Sequence, residues 1–108
     1  MFWLKKKQKE ENPAVRLDGM ELQFVARRYM DGDGNPREEG LGHSGRINTA
    51  NGHVIINCGE TDVFVNNNID TVTCGELMSL KGAIFSGYNE VIGADDTIIV
   101  YYTGRFRQ

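Results

Sequence analysis

Asp31, Asp33 and Asn35 stand at alternate positions, the spacing at which side-chain oxygens of a loop can converge on Ca²⁺. They match the first, third and fifth positions of an EF-hand loop, and then the match breaks. The sixth position is Pro36, where the sharp turn needs Gly, and the twelfth is Gly42, where a bidentate Glu should close the site. Glu39, with Glu38 beside it, can still lend an oxygen to a site of another geometry. Asp31, Asp33, Asn35 and Glu39 are therefore the candidate calcium ligands, weighed against a solvated acidic loop.

The other chemistry-bearing residues are sparser. His43, His53, Cys58 and Cys74 lack the close Cys or His pairs that make zinc ligands converge. A Cys58–His43 pair could activate a thiolate, with Glu60 opposite His43, but the register derived below turns Cys58 toward the core, where a thiol is inert. Gly40-Leu41-Gly42-His43-Ser44-Gly45 matches the G-x-G-x-x-G string of dinucleotide sites. No strand leads into it, no helix follows it, and the chain has no room for a Rossmann sheet. Lys81 to Phe85 resembles an RNP1 strand only in part, since it lacks the first aromatic and the second glycine–aromatic pair. No catalytic residue and no cofactor-binding motif emerges, so an enzyme is not expected.

Charge narrows the partner class. Lys5, Lys6, Lys7 and Lys9 give residues 1–9 a charge of +4; with −3 for the whole chain, the remainder carries −3 minus 4, or −7. A body that acidic repels phosphate backbones, so nucleic acid is not an expected partner. Phe2-Trp3-Leu4 beside the lysines can hold a segment at an anionic membrane surface, but such anchors need more apolar area or a lipid. The expectation is a solvated tail over residues 1–13. Two cysteines are not a disulfide framework and no secretory leader is legible, which suits two reduced thiols and a cytoplasmic protein.

A chain of 108 residues with 40% hydrophobic and 25% charged residues can form one soluble domain with a modest core, here 14–108. Thirteen glycines against two prolines suit a chain that turns often. Asn51-Gly52 is a favoured pair for a type I′ turn, because both central residues need φ > 0. Such a turn sets Ile47 against Ile56 and Thr49 against Val54. Gly59-Glu60 fits a type II′ turn that sets Cys58 against Thr61, Ile56 against Val63 and Val54 against Val65. The two registers agree, and together they predict a three-stranded meander from Gly45 to Val65 with one buried face.

Around the meander, Asp18 with Glu21 has capping-box spacing, and Leu22, Val25, Ala26 and Tyr29 recur at helical spacing, so a helix is expected over 19–30, with an edge strand as the competing reading. Residues 31–45 read as a long polar, glycine-rich loop. Ile69 to Cys74, Leu77 to Leu80, Ala83 to Phe85 and Thr97 to Thr103 supply further strands, the last of them central, with a turn at Gly93 to Asp96. Cys58-Gly59-Glu60 recurs as Cys74-Gly75-Glu76, which makes a short β-solenoid the alternative fold. The expected fold is mainly β (α+β): a rolled or barrel-like antiparallel meander of six to seven short strands with one N-terminal helix. The expected function is a non-enzymatic interaction or assembly module. It would bind a protein partner through a sheet face, a sheet edge or the 31–45 loop. The alternative is a small-molecule or Ca²⁺-binding domain using loop 31–42.

Overall fold

Asn51 has φ 58° and ψ 28°, Gly52 has φ 81°, and the His53 N–H donates to the Ala50 carbonyl, so the type I′ turn forms where it was expected. It joins β2 (Pro36–Asn48) to β3 (Val54–Cys58), with Ile47 opposite Ile56 and Gly45 opposite Cys58. The computed structural model describes residues 12–102. The remaining strands are β1 (Glu21–Met30), β4 (Thr61–Asn66), β5 (Thr73–Glu76), β6 (Gly82–Asn89) and β7 (Ala94–Tyr102). All seven form one antiparallel sheet in the order β4-β3-β2-β1-β7-β6-β5, curled into a half-barrel. The fold is mainly β, and its antiparallel pairing removes the solenoid alternative. The Cys-Gly-Glu echo has no structural counterpart, since Gly59 lies in a hairpin turn and Gly75 lies within β5.

The second hairpin starts in the expected register and then departs from it. Gly59 has φ 61° and Cys58 faces Thr61, but a bulge between Ile56 and Asn57 shifts the ladder by one residue. Ile56 therefore faces Phe64 rather than Val63, and Val54 faces Asn66 rather than Val65. A one-residue slip moves every later side chain to the opposite face. Phe64 is fully buried while Val63 and Val65 are only half-buried.

The helix expected over 19–30 is instead β1, and it is a central strand rather than an edge strand, paired with β2 on one side and β7 on the other. Its helical spacing has a physical origin. The ladder to β7 shifts between Leu22 and Phe24, which reverses the alternation and puts Leu22 and Val25, three residues apart, on the same inner face. Asp18 caps no α-helix. It ends a 3₁₀ turn over Pro13–Leu17, and its carboxylate accepts from the Thr49 N–H at 2.7 Å.

The expected 31–45 loop shrinks to a turn at Asp31–Asn35, because β2 begins at Pro36 and pairs with β1 almost along its whole length. Its glycines serve close packing. A Cβ at Gly40 would meet the Phe24 ring at 3.1 Å, and one at Gly45 would run into the Asn57 carbonyl. Leu77 to Leu80 is a turn rather than a strand, Ile69–Thr71 is a 3₁₀ turn, and the turn expected at Gly93 to Asp96 falls at 90–93.

Inside the curl lie Leu22, Val25, Ile47, Val54, Ile56, Phe64, Phe85, Ile98 and Val100, all at 1% exposure or less. Each such side chain contributes roughly 1.5–3 kcal/mol on leaving water. Ala14 and Leu17 of the 3₁₀ turn add to this core, and Asn12 fixes their approach. Its Oδ1 accepts from the Ala14 N–H, and its Nδ2 donates to the carbonyls of Ile69 and Val72. Residues 12 and 13, counted with the tail from sequence, are thus tied into the body. The expectation of a solvated segment before them falls outside the described residues.

The half-barrel is held at its far side by Asn89, which is fully buried. Its Oδ1 accepts from the Val65 N–H and its Nδ2 donates to the Val63 carbonyl, while the Glu90 N–H donates to the Val65 carbonyl. These bonds occupy the outward edge of β4, so one end of the sheet is closed by a side chain acting as a strand.

Candidate functional site

The candidate calcium ligands do not converge. The Asp31 Oδ1 accepts from the N–H groups of Asp33 and Asn35, both at 2.9 Å, and its Oδ2 accepts from the Arg37 Nε at 2.8 Å. The Asn35 N–H foremost, then the Arg37 guanidinium, hold the Asp31 carboxyl below its ordinary pKa. This carboxylate is the organiser of its own hairpin turn. Glu39 lies away from that turn on β2, opposite Arg27 on β1. Among the described residues, no group of three or more His, Cys, Asp or Glu side chains is arranged to hold a metal ion.

The cysteine and histidine pairings considered from sequence are also separate. Cys58 and Cys74 are free thiols that pack against the core. His43 lies instead against Phe24, ring centroids 5.2 Å apart, and the His53 Nε2 lies 3.0 Å from the Asn48 Oδ1. Burial raises the pKa of both thiols. For Cys74 it reaches about 11, with Glu76 adding to the rise and Arg16 opposing it.

The strand registers assemble a different surface. Val25, Ala83, Phe85, Ile98 and Val100 point into the core, so their neighbours in sequence point outward. Across the strands these outward residues fall into three parallel rows. The first holds His43, Phe24 and Tyr101, with 6.0 Å between the Phe24 and Tyr101 ring centroids. The second holds Gly40, Ala26, Ile99, Ile84 and Gly75, and Ala26 and Ile99 are only 1% exposed. The third holds Glu38, Arg28, Thr97, Ser86 and Thr73. Its members are linked: Arg28 to Glu38 at 3.6 Å, the Ser86 and Thr97 hydroxyls at 3.0 Å, and the Thr73 hydroxyl donating to the Ser86 carbonyl at 3.4 Å. Sequence reading missed this surface because its rows run across strands. Arg28, Thr97, Ser86 and Thr73 are far apart in the chain and are joined only by pairing.

Along the third row the surface opens into a shallow groove of about 770 Å³. Tyr29, Tyr88 and Ile92 line it and stand 45%, 49% and 45% exposed. Its charges are largely spent on each other. Arg27 donates through Nε to both oxygens of Asp96, at 2.9 and 3.0 Å, and approaches Glu39 at 3.7 Å. The buried Asp96 also accepts from the Asn89 Nδ2 at 2.9 Å. One network therefore runs from the clamp that closes the sheet to the base of the groove, and it holds that base in a fixed geometry.

No protein-family model matches the chain, and no curated protein is similar to it at a significant level. No helix among the described residues is long and apolar enough to cross a membrane.

Proposed function

We propose that the protein is a small non-enzymatic interaction module of the cytoplasm that holds its partner on the outer face of β1, β7 and β6. The observation that carries this reading is the outer face itself. Aromatic and aliphatic rows lie on the central strands: Ala26 and Ile99 are buried between their neighbours, Phe24, Ile84 and Tyr101 are half-buried, and Tyr88 beside them stands about half exposed. Ordinary antiparallel sheets that face water alternate apolar-in with polar-out. Here two of the three outward rows are apolar, and their half-buried rings together with the exposed Tyr29, Tyr88 and Ile92 support an interaction surface. Two features support a non-enzymatic role. Burial keeps both thiols protonated at neutral pH, and the contacts of the histidines among the described residues are the Phe24 ring for His43 and the Asn48 amide for His53. Two free thiols also suit a reducing compartment.

The test is affinity capture with the immobilised 108-residue chain. Species retained by the unmodified chain should be lost on Tyr88→Ala and on Arg28→Glu, and kept on Asp33→Ala and Asn35→Ala. Retention that survives the face substitutions and fails with those in the turn would move the site to Asp31–Asn35.

A further inference from the structure

We propose that the groove on the outer face binds a neutral saccharide chain. This inference rests on the outer face being the binding surface and names the class of ligand it takes there.

Charge excludes one class first. Arg27 is committed to Asp96 and Arg28 faces Glu38, so neither guanidinium is left without a carboxylate. Asp95 at the groove wall has no ion-pair partner among the described residues. With −7 on the chain beyond residue 9, a phosphorylated or sulfated ligand meets net repulsion. The groove offers a cationic ligand the Asp95 carboxylate alone, and one exposed charge contributes little.

What remains suits a neutral ligand rich in hydroxyls. Thr73, Ser86 and Thr97 present three hydroxyl oxygens in one line. Thr73 gives its proton to the Ser86 carbonyl and one of the Ser86–Thr97 pair gives its proton to the other, so the row offers acceptor lone pairs and one remaining donor. A sugar hydroxyl can donate into these oxygens and accept from the one free proton, so a ligand with several hydroxyls can extend the chain of bonds already present along the row. Tyr88 adds a half-exposed ring on this face, and Tyr29 borders the groove at the strand end; a tyrosine ring face suits the C–H face of a pyranose. The groove is open rather than enclosed, and its hydroxyl row crosses three adjacent strands about 4.8 Å apart. That geometry takes an extended chain lying across the strands better than a small molecule that must be enclosed.

The test is two-dimensional amide NMR of the 108-residue chain titrated with four neutral glycans: maltohexaose, cellohexaose, xylohexaose and N-acetylchitohexaose. At least one should give saturable shifts at Thr73, Ser86, Tyr88 and Thr97, with Kd of about 1 mM or tighter. The shifts should persist when salt is raised, because no net charge is screened. Tyr88→Ala and the near-isosteric Thr97→Val should each weaken binding roughly tenfold or more. No saturable shift with any of the four would overturn the inference, as would binding that both variants retain. If the glycans fail while Tyr88→Ala still abolishes partner capture, the ligand class is wrong and the outer face stands. If capture also survives Tyr88→Ala, both readings fall.

Discussion

Tyr88 and Asn89 are neighbours in β6, yet one is about half exposed and the other is fully buried. Asn89 points into the curl and spends its whole amide on β4, on the Val91 N–H and on Asp96. Tyr88 points outward into the groove. The difference between them is the difference between the two faces of the sheet. The inner face has an apolar core and a polar clamp at one rim whose amide and carboxylate are paired, while the buried Thr49 hydroxyl has no partner among the described residues. The outer face carries half-buried rings and aliphatic side chains and, at Tyr88, a ring about half open to solvent. Stability and recognition are thereby assigned to opposite sides of the same strands, and substitutions can separate them.

The largest effect should come from the inner face at the slipped hairpin. Phe64→Ala should cost about 3–5 kcal/mol in urea unfolding, while Val63→Ala should cost less than about 1 kcal/mol. The reverse order would restore the unbulged register and put Val63 in the core.

Next is the clamp. Asp96→Ala removes the partner of Arg27 and one acceptor of Asn89, and should cost about 3 kcal/mol, since breaking one side of a buried ion pair leaves the other uncompensated. A change near zero would mean that the network does not bind the sheet ends together.

A smaller effect is expected with pH. The Cys74 thiol keeps its proton from the ordinary 9.0 up to about 11 because it is buried. The native state thus holds a proton that the unfolded chain releases, so stability is intact below pH 9 and falls as pH rises toward 11. Cys74→Ser should flatten that alkaline limb. Alkylation of Cys74 at pH 8 should likewise be much slower in the folded chain than in urea.

The smallest effects belong to the Asp31 turn. Its lowered carboxyl pKa stabilises the fold above the unfolded value near 3.8, and this contribution is lost as pH falls through the native value. Asp31→Asn should remove part of the acid limb of the stability profile and leave pH 7 behaviour of the outer face unchanged. A calcium titration should shift no amide of residues 31–42 specifically, because Asp31 already accepts from two N–H groups and Arg37.

How much of this was legible depended on how local the determinants were. Asn51-Gly52 fixes a register with two adjacent residues, and Ile47 opposite Ile56 follows from it. Gly59 fixes only the closing pair of its hairpin, because nothing in the local sequence announces the extra residue at Val63. Leu22, Val25 and Ala26 look helical because a bulge brings Leu22 and Val25 to one face while Ala26 is buried on the other. Sequence periodicity cannot distinguish that arrangement from a helical stripe. The clamp was out of reach altogether, since Arg27 and Asp96 are 69 residues apart and meet only after β1 and β7 pair. The acidic pair Asp95-Asp96 reads as a turn until a half-buried arginine is known to stand beside it.

The most direct test of the division between the faces sets Tyr88→Ala beside Asn89→Ala, with urea midpoint and partner retention measured on the same preparations. Asn89→Ala should lower stability by roughly 1–3 kcal/mol for each buried group left unpaired. It should retain the partner wherever the chain remains folded. Tyr88→Ala should stay within about 0.5 kcal/mol of the unmodified chain and lose the partner. Equal destabilisation by the two, or retention by Tyr88→Ala, would contradict the account.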